Sequence, residues 1–465
     1  MSGSDARAAE RGSDAVAPRV SVIIPYYENP AGLAQVLAGI AAQTYPGEVE
    51  VIVADDGSAT PPEVPAHVRV VRQEDLGFRA AAARNLGAAH ASGEVLAFLD
   101  GDTIPEPGYL EAVVARLVAE PEVLVVGSRR HLVVEVGADS GDERDSAAEM
   151  SSTTARPAAG YERVPAGTSP MGSERVRDLG EPAWLRDAWG YTDDLRAVDD
   201  TGFRFVISAV LSCTRAVFER VGGFDGTIVG YGGEDWEFAW QAWLAGCEFR
   251  HEPGAQAVHL GADWGARAED PARAIAEKNA ETLALAARIT HPIMRPAGVV
   301  FKVPDIAVRW AGETDPGVVV PVVAALLAAG DVHVELDAVP DLFAADPRAR
   351  AAEKDEAAAE VTGQEAEVRR GVTGEEPEAR VRPRFDVELL RSCRVPPGEL
   401  QAVCEEVSRL GGCAQVLGAD SEALLRIAPR RALARGERRA TTIRRGWPVL
   451  TAPLRLEEEF RTSRP

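Results

Sequence analysis

Lysine is nearly missing from these 465 residues, with Lys278, Lys302 and Lys354 as the full set. Arginine carries the basic charge, and acids outnumber bases to give a formal net charge of −23. A chain this acidic does not as a whole attract nucleic acid or an anionic membrane surface. A bound nucleotide therefore needs a local device: a metal, an arginine or a helix end. Cysteine is scarce, five residues in all: Cys213, Cys247, Cys393, Cys404 and Cys413. None are paired at C-x-x-C spacing, and an odd count is not a disulfide framework. They are expected to be reduced packing residues of a cytoplasmic protein. Long apolar runs are absent too. The longest, Val318 to Ala329, is too short for a bilayer and contains Pro321, so no transmembrane segment is expected. Residues 1–18 have no apolar signal-peptide core and are expected to form a disordered leader.

What is present is ample apolar material, 46% of the chain, enough for two or three domains. From Arg19 onward strands and helices alternate. Val20 to Ile24, Val49 to Ala54, Val68 to Val71 and Val95 to Leu99 read as strands. Helical spacing falls between them, at Leu33, Val36, Leu37 and Ile40 and again over Gly77 to His90. Such alternation predicts a mostly parallel sheet covered on both faces. Residues 135–180 are polar and rich in Gly and Pro, and are expected to form a mobile loop. Phe203 to Leu211 reads as a strand, and Glu234 to Ala245 as an aromatic-rich helix.

The most informative junction is Val95-Leu96-Ala97-Phe98-Leu99 running into Asp100-Gly101-Asp102. A strand buried on both faces ends in two carboxylates, at the edge where open α/β sheets bind ligands. If the chain stays extended, residues two apart face the same way. The pair then suits a hard divalent cation holding a diphosphate. A solvated Asp-Gly turn is the competing reading.

A second unit is expected from about residue 300 to 465, with Ala/Glu/Arg-rich residues 345–381 as a solvated helix or linker. It reads as a worn copy of residues 19–299. Pro397-Gly398-Glu399-Leu400 lines up with Pro107-Gly108-Tyr109-Leu110, and in that register Leu390 and Ser392 replace Asp100 and Asp102. Gly317 to Ala328 likewise matches Gly32 to Ala42.

Several segments occur together. They are Val22-Ile23-Ile24-Pro25-Tyr26-Tyr27-Glu28-Asn29, Val53-Ala54-Asp55-Asp56-Gly57-Ser58, Gly77 through Ala83-Arg84-Asn85-Leu86-Gly87, and Phe98 to Asp102. Val221 to Asp225 and Tyr231-Gly232-Gly233-Glu234-Asp235-Trp236 follow. In this order they resemble family 2 glycosyltransferases of the GT-A fold over about residues 19–265. The resemblance implies transfer of a sugar, with inversion, from a nucleotide diphosphate sugar, most simply a UDP-sugar. The acceptor is expected to be a saccharide or glycolipid of the cell envelope.

The same resemblance suggests roles. Pro25, Tyr27 and Glu28 would border a base pocket, with Asp55 and Asp56 at the end of the second strand. Asp56 would accept from a uracil N–H. Arg79, Arg84 and Asn85 belong to the nucleotide-sugar set, and one arginine would face the diphosphate. Asp102 would bind Mn2+ or Mg2+ directly, Asp100 would take the ribose or a metal-bound water, and His259 is a further candidate ligand. Asp235 would be the base that takes the acceptor hydroxyl's proton, with Glu234 holding acceptor hydroxyls. Tyr231 and Trp236 offer flat faces to a sugar ring. For Glu234 and Asp235 the bland reading is stabilisation at a helix start. The arginine run from Arg426 to Arg445 is a candidate peripheral membrane contact, or an ordinary charged face. Two rival functions remain: a noncatalytic nucleotide-sugar or glycan-binding scaffold, and a sugar-1-phosphate nucleotidyltransferase. The latter expects a Gly-rich basic phosphate loop, which Pro25-Tyr26-Tyr27-Glu28 is not.

Overall fold

The computed structural model describes residues 17–136, 174–230, 232–261, 271–352, 380–437 and 440–457. The expected leader, most of the 135–180 loop, Tyr231 and most of the 345–381 linker lie outside those residues.

The first sheet begins with β1 (Val20–Tyr26), α1 (Pro30–Ala41), β2 (Val49–Asp55), β3 (Arg69–Arg72), α2 (Ala80–His90) and β4 (Val95–Leu99). Next come β5 (Thr103–Pro105), α3 (Tyr109–Ala119), β6 (Val123–Val136) and β7 (Glu174–Gly180). It is completed by α4 (Ala183–Tyr191), β8 (Val210–Thr214), α5 (Arg215–Val221), α6 (Glu234–Leu244) and β9 (Glu248–Leu260), and α7 (Pro271–Arg288) follows. Strand order is β3-β2-β1-β4-β8-β6-β9-β5, with β7 on β6. β1 to β4 are mutually parallel where they pair, while β8 runs antiparallel to β4 and β6. All five residues of β4 are buried, as a continuous apolar run requires at the centre of a sheet covered on both faces.

Three expectations need correction. The first strand does not stop at Ile24: β1 runs on through Pro25, which lies opposite Ala54, to Tyr26. The segment Phe203 to Leu211 is not one strand. Gly202–Phe205 is a 3-10 turn and the strand starts at Val210. Phe203 is pinned there by ring contacts to Trp236 and Trp240, at 6.2 and 5.4 Å between centroids. Both ends of the supposed 135–180 loop are strand, since β6 and β7 pair antiparallel.

The second sheet is built from β10 (Ile306–Trp310), α8 (Pro316–Leu327), β11 (Val332–Leu336), β12 (Ala349–Ala351) and β13 (Phe385–Leu389). Then come α9 (Glu399–Leu410), β14 (Cys413–Leu417), β15 (Ala423–Pro429), α10 (Arg430–Ala434) and β16 (Ala440–Arg444). Its order is β12-β11-β10-β13-β15-β14-β16. β15 runs antiparallel to β13 and β14, and β16 runs parallel to β14, as β8 and β9 do in the first sheet. Each sheet has its own apolar core.

The register is also shared. β4 and β13 start at Val95 and Phe385, the next helices at Tyr109 and Glu399, and the next strands at Val123 and Cys413. The first helix of each sheet opens with Pro and is capped by an acid or amide. Asn29 accepts from Gly32 N and Asp315 from Gly317 N.

Candidate active site

The carboxyl ends of β1, β2 and β4 open into a cavity of ≈ 390 Å³. Its walls include Pro25, Tyr27, Asn29, Asp56, Phe78, Arg84, Asp100, Asp102, Arg129, Ser208, Glu234, Asp235 and His259. Residues from distant parts of the sequence thus converge at one sheet edge, where an α/β sheet binds its ligand.

Asp100-Gly101-Asp102 is not extended. Thr103 N donates to Asp100 O at 3.0 Å, closing a tight turn. The two acids therefore take different partners. Asp100 Oδ1 accepts from Arg84 Nη2 at 2.6 Å, and Asp102 Oδ1 lies 3.1 Å from His259 Nδ1. His259 arrives there because β9 pairs with β5, placing it opposite Thr103, and Leu260 N donates to Asp102 O at 3.0 Å. Among the described residues no group of three or more His, Cys, Asp and Glu forms a metal cage. One carboxylate and one imidazole on a cavity wall fit a cation that completes its shell with diphosphate oxygens and water.

On the opposite side, Gly232 and Gly233 have φ of 94° and 89°. L residues rarely adopt that backbone, and it lets α6 start abruptly at the cavity. Glu234 and Asp235 occupy its first turn. Arg84, with its side chain only 3% exposed, spans the site: Nη1 donates to Glu234 Oε1 at 3.0 Å while Nη2 holds Asp100. Burial opposes its charge, but Asp100 and Glu234 more than compensate, so its pKa is raised. Of the two arginines expected near a diphosphate, Arg84 lines the cavity, and in this structure its guanidinium binds two protein acids. Glu234 Oε2 is buried with no hydrogen-bond partner among the described residues.

Asp235 is pushed up to about 7. The dense surroundings of its carboxyl are the main cause, and the charge of Glu234 adds to it. Arg84 and the N–H groups of Trp236 and Ser208 pull the other way. The backbone N–H of Trp236 donates to Oδ1 at 2.8 Å, and that of Ser208 lies 3.4 Å from Oδ2. A carboxyl that titrates near neutrality is suited to proton transfer.

Residues 21–172 match the family described as Glycosyl transferase family 2, and residues 200–261 match the N-terminal domain of galactosyltransferase. The match to family 2 glycosyltransferases thus falls in the N-terminal half of the chain, and the mixed α/β sheet there accords with the expected GT-A fold. Chondroitin synthase of Escherichia coli is 30% identical over 247 residues, covering 52% of this chain and 34% of that protein. Validoxylamine A glucosyltransferase of Streptomyces hygroscopicus subsp. limoneus is 32% identical over 250 residues, 50% of this chain and 49% of that one. The chain spans about half or less of the length of these curated relatives. A crystal structure of GalNAc-T7 with UDP, GalNAc and Mn2+ matches loosely, at 16% identity and a TM-score of 0.35, covering 53% of this chain and 45% of that one.

Within the matched region several expected site residues turn elsewhere. Asp55 is fully buried, and its Oδ1 accepts from Ser58 N at 2.9 Å. Glu28 accepts from Ala59 N at 3.0 Å and shapes the same loop. Asn85 clamps Phe224 through both its backbone N–H and carbonyl, at 2.9 and 2.8 Å. The Arg79 side chain donates to Glu74 O, while its backbone N–H donates to Asp56 Oδ2 at 2.7 Å. Trp236 packs on Phe203 with Lys278 above it and is not among the cavity walls. Tyr231 lies outside the described residues. Arg129 and Ser208 belong to the walls without any sequence motif. Ser208 acts through its backbone N–H, so its residue type carries no signal.

Among the described residues of the Arg426–Arg445 run, several arginines pair at the surface with the molecule's own acids. Arg426 pairs with Glu388, Arg430 with Asp386, Arg435 with Glu248 and Arg445 with Glu406. No helix among the described residues is long and apolar enough to cross a membrane.

Proposed function

We propose that this chain transfers a sugar, with inversion, from a nucleotide diphosphate sugar to a hydroxyl of a saccharide or glycolipid, in a reaction dependent on Mn2+ or Mg2+. The observation that carries this reading is the cavity itself. The Asp102–His259 edge and the Glu234–Asp235 helix start face one space, and Arg84 links their neighbours.

Asp56 and Tyr27 border the nucleoside end, where Asp56 suits a base N–H and the half-exposed Tyr27 ring suits stacking. Asp102 and His259 would hold the cation. When bound it neutralises diphosphate charge and stabilises the leaving group. Asp235, deprotonated, takes the acceptor hydroxyl's proton as that oxygen attacks the anomeric carbon and the diphosphate leaves from the opposite face. The unsatisfied Glu234 Oε2 supports a second contact to an acceptor hydroxyl, since buried polar atoms seek a partner. A UDP-sugar is the favoured donor. The test is a screen of nucleotide sugars for metal-dependent release of UDP or GDP. Release stimulated by a saccharide acceptor supports the reading. Binding without release from any donor would favour the scaffold function.

We further propose that residues 19–299 and 300–465 are separate domains, the second a copy of the first that lost its metal site. Their common strand order and spacing support this. Leu390 cannot ligate a cation, and Ser392 supplies no charge.

A further inference from the structure

The helix carrying Glu234 and Asp235 is gripped from outside its own sheet. In its first turn Glu237 is fully buried and takes both prongs of Arg380, Nε to Oε1 at 2.9 Å and Nη2 to Oε2 at 3.0 Å. The same guanidinium donates to Gly222 O at 3.2 Å and Gly223 O at 2.8 Å, tying α6 to the end of α5. At the far end of α6, Arg431 lies 3.6 Å from the centre of the Trp243 ring and donates to Trp243 O at 3.1 Å and to Cys247 O. The last carbonyls of a helix lack partners within it, and a cation there also suits the helix dipole.

A third grip lies just ahead of the 3-10 turn that packs on α6. Arg384 reaches Asp200 at 2.6 Å and is itself held by both oxygens of Asp305, each at 2.9 Å. All three arginines belong to the part of the chain that builds the second sheet: Arg380 and Arg384 lead into β13, and Arg431 lies in α10.

We propose that the C-terminal unit works as a rigid seat for α6, with Arg380 and Arg431 as positioning residues for Asp235. This rests on Asp235 being the base. A base must stay within hydrogen-bond reach of the proton it takes, so a helix pinned at both ends keeps catalytic geometry that a one-sided contact would not. The planar guanidinium fork suits the task, because it holds a carboxylate and carbonyls in one fixed orientation. The seat also gives the second sheet a use that needs no nucleotide.

The test uses the full chain. Arg380→Met alone would leave Glu237 buried and unpaired, so the informative variant is the double change R380M/E237Q. Arg431→Lys is a second, independent probe that keeps the charge but loses the planar stack. Donor affinity, measured by calorimetry with a UDP-sugar and Mn2+, should stay within about twofold. The kcat for transfer should fall about 10- to 100-fold, the scale of a small misplacement at a reacting centre. Amide hydrogen exchange should quicken in the first turn of α6 and stay unchanged in β1 and β4. A merely structural role predicts a lower melting temperature with kcat of the folded enzyme unchanged, and that result overturns the proposal. If the wild-type chain transfers no sugar, the base reading has failed. The exchange experiment then still decides the seat, because unaltered α6 exchange in both variants would overturn it. If R380M/E237Q does not fold, Arg431→Lys carries the same expectations.

Discussion

The two sheets of this chain share strand order, spacing and a capped first helix that opens with Pro, yet differ at the ends of their strands. After β4 stand Asp100 and Asp102, and after β13 stand Leu390 and Ser392. The first sheet opens into a cavity lined by converging acids. In the second, Arg391 at the equivalent edge pairs with Asp420 at 2.7 Å and Glu422 at 3.2 Å. If the proposed function and duplication hold, the contrast teaches that buried strands and caps keep the scaffold, while the chemistry sits in a few residues past the strand ends. On the proposed duplication, those residues changed while the second sheet kept an apolar core of its own.

The comparison breaks most visibly at Asp235. Asp235→Asn keeps the shape and removes the base, so transfer should fall by roughly 10²–10⁴ while donor affinity survives. A steady-state assay alongside donor calorimetry separates the two. Wild-type turnover in the variant would reduce Asp235 to a helix-start acid.

Arg84→Met tests the next largest difference. It leaves Glu234 and Asp100 without their shared cation in a buried setting, which should cost about 3–5 kcal/mol of stability. Urea unfolding measures that loss. The same change removes a charge that holds the Asp235 pKa down, so the alkaline-rising limb of activity should move to higher pH.

The limb itself is a smaller effect. Asp235 must be deprotonated to act, and it is pushed up to about 7. Transfer should therefore climb close to tenfold per pH unit well below neutrality and level off above it. A rate flat from pH 5 to 8 would contradict that assignment. At the bottom of the scale, Ser392→Ala should change neither donor affinity nor turnover, since the second sheet holds no donor in this account.

Much of this was legible in the residues. A continuous apolar run such as Val95–Leu99 has one comfortable place, the middle of a sheet, and it forms a strand over those same residues. The Pro-Gly pairs that open α3 and α9 mark equivalent positions in both sheets. Packing between distant segments was not legible. Phe203 makes a 3-10 turn because Trp236 and Trp240 receive its ring. Nor could sequence distinguish polar groups that face the cavity from those that hold backbone. Asp55, Glu28 and Asn85 sit in the right motifs yet bond to main chain. Asp100 and Asp102 sit in a turn and bond to different side chains, Arg84 and His259. Arg380 and Arg431 follow no motif, because their work is defined only by where α6 lies.

The central claim is that one half alone holds the metal and the nucleotide. Calorimetric titration of UDP with Mn2+ into the full chain tests it most directly, with Asp102→Ala as the comparison. The account predicts one site per chain in the wild type, lost in excess chelator and lost in the variant. Two sites per chain, or one that persists in Asp102→Ala with undiminished affinity, would contradict it.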